Sequence, residues 1–287
     1  MSGGTPSLLR ACFCARAVAL AVAFCLGAVL PARAADYSVT AALGLETTGA
    51  FRGVKSRKLN PSVYGYLEIA YGEGLFGVFS NPVSIAGETN ALVLGYALWK
   101  PTLGKFDVEA GARYYSFPDS SDFTFDFDDD GVVDHRGHKG LFEAQAGVRR
   151  KFEGGRVHIR AFYTPDGFAE TGPAWYVSNE LRADLPFGVE ARGAVGVSRF
   201  SDKRFNENYI DYDAGLYKSM FGFDMFLRYS DTAGLSGPDN SVVVFGIERA
   251  LSLASSAARE DRRYDKIRND WRIDKARLGV IDRPAGD

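Results

Sequence analysis

The chain has 287 residues, a formal charge of −2 and 13% aromatic residues, with 32 Gly, 14 Tyr and 21 Phe against 3 Met. That balance argues against a nucleic-acid partner, and the glycine and aromatic load is unfavourable for a helical fold. All three cysteines, Cys12, Cys14 and Cys25, precede residue 35, so no disulfide framework holds the rest of the chain.

In chain order, the first segment reads as an export signal. Arg10 and Arg16 stand ahead of the apolar run 17–30, and Ala32-Arg33-Ala34 supplies the small-x-small pattern of a cleavage site. The run is shorter than the roughly 20 residues of a membrane-crossing helix. Cys25 follows the bulky Phe24, which is unlike a lipoprotein signal. Residues 1–34 are therefore expected to be removed on export, leaving a chain of formal charge about −5 once three arginines are gone.

From there one pattern recurs. Tyr37, Val39, Ala41, Leu43 and Leu45 alternate with Ser38, Thr40, Gly44 and Glu46. Leu92, Leu94, Tyr96 and Leu98 form the apolar set after Asn90. Phe106, Val108, Ala110, Ala112 and Tyr114 oppose Asp107, Glu109 and Arg113. Phe142, Ala144, Ala146 and Val148 oppose Glu143, Gln145 and Arg149; Val157, Ile159, Ala161 and Tyr163 oppose Arg156, His158 and Arg160. Val177, Leu181, Ala183 and Leu185 oppose Ser178, Glu180, Arg182 and Asp184, and Val189, Ala191, Val195 and Val197 oppose Glu190, Arg192 and Ser198. Each segment is predicted to be a strand with one apolar and one polar face.

About twelve such strands are expected, each near the length that crosses a bilayer when tilted. Short turns at Gly72-Glu73-Gly74, Thr102-Leu103-Gly104, Glu153-Gly154-Gly155, Pro186-Phe187-Gly188 and Phe221-Gly222 alternate with longer loops at 49–60, 81–89, 118–139, 165–173, 201–208 and 232–240. Soluble antiparallel sheets also alternate apolar and polar residues. The alternation of turn and loop, and aromatics such as Trp99, Tyr114 and Trp175 near strand ends, favour an all-β fold: a transmembrane, antiparallel, up-and-down β-barrel with both termini on the short-turn side. The barrel is assigned to 35–251. Residues 252–287 form a mixed-charge periplasmic tail, partly helical or disordered, in which Ile267, Trp271 and Leu278 share a helical face.

The polar faces then become the lumen. Glu109, Arg113, Glu143, Arg160, Glu180, Arg182 and Arg192 are the candidates for a constriction, since inward charges must be paired or hydrated. In the longest loop, Asp126, Asp128, Asp130, Gly131 and Asp134 fit the start of a calcium loop. Its twelfth position is Gly137 in place of the bidentate Glu, so the stretch is not an EF-hand, and at most a weak calcium site is expected. His135 and His138 lie beside these carboxylates without a third ligand to define a metal geometry. No Gly-x-Ser-x-Gly elbow occurs, and nothing else recommends catalysis.

The stretch AFRGVKSRKLNPSVYGYLEIAY, through Phe51, Arg52, Gly53, Asn60, Pro61, Tyr64 and Gly65, resembles the first hairpin of the TorF family of porin-like proteins. YTPDGF from Tyr163 and RYSDTAG with SVVVFGIERA from Arg228 resemble it too, over roughly residues 36–250. The resemblance implies an outer-membrane, porin-like barrel and supplies no solute. Residues 251–287 after the last strand depart from the family's pattern.

Taken together, the expectation is a bacterial outer-membrane barrel that passes small hydrophilic solutes through a narrow, mixed-charge lumen, without a cofactor. The alternative is a closed barrel whose loops or periplasmic tail bind a partner.

Overall fold

The computed structural model describes residues 37–55, 61–85, 88–118, 123–125, 135–137, 140–167, 171–202, 207–236 and 240–254. Twelve long strands close on themselves: β1 (Tyr37–Glu46), β2 (Ser62–Tyr71), β3 (Gly74–Ile85), β4 (Glu88–Trp99), β5 (Phe106–Ser116), β6 (Gly140–Phe152), β7 (Gly155–Thr164), β8 (Ala174–Leu185), β9 (Val189–Phe200), β10 (Tyr209–Met220), β11 (Phe223–Ala233) and β12 (Val242–Ala254). Each pairs antiparallel with its neighbours in sequence, and β12 returns to β1 from Ser38↔Ala254 to Glu46↔Gly246. Among the described residues, closure leaves none of the twelve long strands with an unpaired edge, as a lipid environment requires. The chain is thus an all-β, up-and-down transmembrane barrel.

The strands form because alternation gives each of them two usable faces. In β1 the outward Leu43 is 69% exposed while the inward Glu46 is 3% exposed. Val63, Phe76, Ile159, Leu181, Val195, Leu216 and Phe245 continue the exposed apolar surface around the ring, which is the surface that lipid covers. At the Phe221-Gly222 turn, Met220 pairs with Phe223. Both turn residues have positive φ, 57° and 78°, the geometry of a two-residue hairpin that follows strand twist.

Two expectations change. The stretch 81–89 is predominantly ladder instead of a long loop: Asn81↔Leu92 through Ile85↔Glu88 are paired, across Pro82↔Ala91. Leu92, Leu94, Tyr96 and Leu98, apolar and so destined for lipid on the barrel reading, are all buried inside. Outward, β4 presents Val93, Gly95, Ala97 and Trp99. Both faces of this strand are apolar, so the alternation that marks the strand carries no sign for which face turns in.

With Tyr64, Tyr66, Leu75, Phe79, Tyr115 and Phe117, the inward side chains of β4 build an apolar cluster that fills one side of the lumen. Close contact between rings and wall depends on glycine. Gly77 on β3 stands opposite Tyr96, and a Cβ there would fall 2.2 Å from the ring.

The expected boundary between barrel and tail at residue 251 falls near the end of β12, which runs to Ala254. The segment 1–34, the calcium-like residues Asp126, Asp128, Asp130 and Asp134, and residues from 255 onward lie outside the described residues.

Candidate functional site

Charged side chains line the rest of the lumen. Glu109, Arg113, Glu143, Arg160, Glu180, Arg182 and Arg192 all have inward side chains, none more than 8% exposed. Period-two geometry places them there, because each sits on the face opposite an apolar, outward residue. They do not form one ring of charge: six separate into three clusters, and the Arg113 guanidinium lies 4.8 Å from the Phe162 ring centroid.

The first spans β7, β8 and β9 toward the short-turn end. Arg156 stands opposite Arg182, and Arg182 opposite Arg192, a row of like charges that by itself is destabilising. Two carboxylates offset it. Arg182 Nε donates to Glu180, and Arg192 Nε donates to Glu190. Arg156 Nη2 lies 3.0 Å from Glu190 Oε2, while Arg182 Nη1 and Arg160 Nη2 each lie 3.9 Å from a Glu oxygen. The Arg192 guanidinium also stacks 3.7 Å from the Tyr217 ring centroid.

The second cluster centres on Glu109 of β5. Gln145 Nε2 donates to Oε1 at 2.5 Å, His158 Nε2 lies 3.4 Å from the same oxygen, and Lys100 Nζ lies 3.5 Å from Oε2. Lys100 follows β4 and is outside the spanning strands. Burial pushes its ammonium down to about 8, against the raising effect of Glu109 and with the lowering effect of Arg149. Arg149 pairs with Asp107 at 2.9 Å beside this cluster.

The third cluster joins the wall to the first connector. Arg52 Nη2 donates to Glu143 Oε1 at 2.6 Å, and Tyr115 OH donates to Oε2 at 2.7 Å. Across the lumen the charges are mostly acidic: Glu46, Glu68, Asp211, Asp213 and Glu248 are all buried, with Arg228 among them. Tyr66 OH donates to Glu248 at 3.0 Å, Tyr176 OH to Asp211 at 3.1 Å, and Tyr96 OH to Glu68. A wall rich in arginine on β6 to β9 therefore faces a wall rich in carboxylate on β10 to β2, with a field across the lumen between them.

Exposure measures how full this interior is. Arg160 and Arg182 are 2% exposed, and Arg228 and Glu180 are 1% exposed. A cavity of about 250 Å³ remains among Arg156, Glu190, Arg192, Tyr217, Asp224 and Glu248, with Gly188 and Ser219 at the short-turn end. Among the described residues no three His, Cys, Asp or Glu side chains converge as a metal site.

Sequence reasoning missed Arg52, Lys100 and most of the acidic wall. Asp211 and Asp213 alternate with Ile210 and Tyr212, a signal legible in the chain. Arg52 and Lys100 lie in connectors, where alternation says nothing about direction.

Among solved structures, the KdgM porin is similar to this chain at 9% identity and a TM-score of 0.48, over 73% of this chain and 98% of that one. An outer membrane channel from Pseudomonas putida F1 is similar at 9% identity and a TM-score of 0.46, over 77% and 97%. OmpT of Vibrio cholerae lacking loop L8, an outer membrane protein, is similar at 7% identity and a TM-score of 0.41, over 76% and 99%. No curated protein matches the chain. The model of a family described as "bacterial protein of unknown function (Gcw_chp)" matches residues 32–245, and the chain belongs to that family.

Proposed function

We propose that this barrel is a channel of the bacterial outer membrane, passing small hydrophilic solutes by diffusion along a narrow, mixed-charge lumen. The observation that carries the reading is the pair of facing walls, arginine-rich on β6 to β9 and carboxylate-rich on β10 to β2. A field of this kind orders polar solutes and excludes apolar ones. Glu109, Arg113, Glu143, Arg160, Glu180, Arg182 and Arg192 act as the constriction. The resemblance of Phe51-Arg52-Gly53 and its flanks to the TorF family of porin-like proteins belongs to the same reading. So do export through residues 1–34, a periplasmic tail at 252–287 and, at most, weak calcium binding by Asp126, Asp128, Asp130 and Asp134.

Planar-bilayer recording of the refolded chain tests the proposal. Stable, salt-dependent current steps are expected, and Arg182→Gln together with Arg192→Gln should move the reversal potential toward cation selectivity. Unchanged reversal potentials across a series of such variants would remove these residues from the constriction. Repeating the recording with calcium tests the acidic loop.

The near-complete burial of Arg160, Arg182 and Arg228, with the apolar cluster beside them, favours a second reading: a closed barrel that displays loops or tail to a partner. Silence from a folded, inserted chain would select it.

A further inference from the structure

Between β1 and β2 the chain turns back into the barrel as a small hairpin, Ala50–Phe51 paired with Val54–Lys55. Ala50 is 1% and Val54 3% exposed. Its tip is wedged against β10 and β11: a Cβ on Gly53 would stand 2.6 Å from the Asp231 carbonyl oxygen and 2.7 Å from Asp211 Cβ. Arg52 and Gly53 have φ 45° and 81° at this tip, the two-residue hairpin geometry also found at Phe221-Gly222.

The Arg52 side chain sits in a cage. The Arg52 guanidinium lies 4.2 Å from the Tyr176 centroid, 5.4 Å from Phe162 and 4.8 Å from its own neighbour Phe51. Glu143 closes the cage at 2.6 Å, with Tyr115 fixing the other carboxylate oxygen. Phe162 and Tyr176 face the cage from adjacent strands with centroids 5.7 Å apart. Four of these five partners belong to the barrel wall and stay if the hairpin leaves. Glu143 then keeps the Tyr115 hydroxyl and stands opposite Arg113 of β5, whose guanidinium lies 4.8 Å from the Phe162 centroid; a buried carboxylate that has lost its ion-pair partner at 2.6 Å favours a replacement cation.

We propose that the Ala50–Lys55 hairpin is a tethered stopper, and that Arg52 fills a cation-recognition cage of Glu143, Tyr115, Phe162 and Tyr176 that accepts the guanidinium or ammonium group of a small organic cation. Aromatic faces with one carboxylate are the chemistry that selects such groups. Entry of that cation through the barrel rests on the channel reading; the cage does not.

Ethylguanidinium is the probe, titrated calorimetrically into the refolded chain in detergent. Arg52→Ala should bind at least about tenfold more tightly than the unmodified chain, the factor expected if a tethered competitor holds its site nine-tenths of the time. Arg52→Met, which keeps part of the aliphatic stem, should do the same, and adding Glu143→Gln should abolish the gain. In the unmodified chain, saturating ethylguanidinium should open the Arg52–Gly53 bond to trypsin. Absence of the binding gain in folded variants, its survival in Glu143→Gln, or a bond that stays uncut overturns the proposal. Binding without conductance keeps the cage and sinks the channel reading; conductance without binding does the reverse.

Discussion

Gly111 stands on the inward face of β5, where a Cβ would meet the Ala97 carbonyl oxygen of β4 at 2.1 Å and Leu98 Cα at 2.8 Å. Backbone cannot swing aside as a side chain does. Gly111→Ala is therefore expected to destabilise the barrel by about 1–3 kcal/mol. Gly95, on the outward face, has nothing within 4 Å of a built Cβ, and Gly95→Ala should change stability by less than about 0.5 kcal/mol. Urea unfolding in lipid vesicles compares the two. Lys100 gives a pH signature. Its buried ammonium loses its proton near 8 instead of 10.5, so raising the pH from 7 to 9 removes a positive charge beside Glu109. The reversal potential should move toward cation selectivity over that interval, and the step should vanish in Lys100→Met. By linkage, the folded state releases this proton before the unfolded one, so its contribution to stability rises with pH between about 8 and 10.5.

At the scale of a strand, the two faces meet different media. Val195 lies near the middle of β9 and is 52% exposed, whereas its neighbour Ala194 points inward. Val195→Arg should cost about 2–4 kcal/mol, as expected for a cation on the lipid face at the bilayer midplane. The same unfolding experiment reads it, and an unchanged midpoint would mean that β9 does not meet lipid there. β4 departs from this division. Its inward Leu92, Leu94 and Leu98 pack with Leu75, Phe79 and the tyrosines of β2, so a strand of a membrane barrel here contributes to an apolar interior.

For the whole molecule, closure depends on one seam between strands far apart in sequence. β12 pairs with β1 through nine positions, Ser38↔Ala254 to Glu46↔Gly246. Ending the chain after Ala254 keeps every described partner and should preserve the heat-modifiable gel mobility of the folded barrel. Ending it after Ile247 removes the partners of residues 38–44, exposes an open edge on β1, and should abolish that mobility. Retained mobility in the shorter chain would show that the ring closes elsewhere.

The sequence by itself determined the strand-forming segments, most of the connectors and the inward face wherever one set of alternating residues was charged. Glu109, Arg113, Glu143, Arg160, Glu180, Arg182 and Arg192 could be placed on one face because their outward neighbours are apolar. Alternation divides a strand into two faces but gives no direction when both are apolar, so only ring closure decided that Leu92, Leu94, Tyr96 and Leu98 point inward. It also could not reveal that 81–89 continues the ladder across Pro82, since pairing there depends on the facing strand. Arg52 was visible only as part of a motif. Its partners come from β5, β6, β7 and β8, and a meeting of side chains from such separate segments exists only once the barrel has closed around the hairpin.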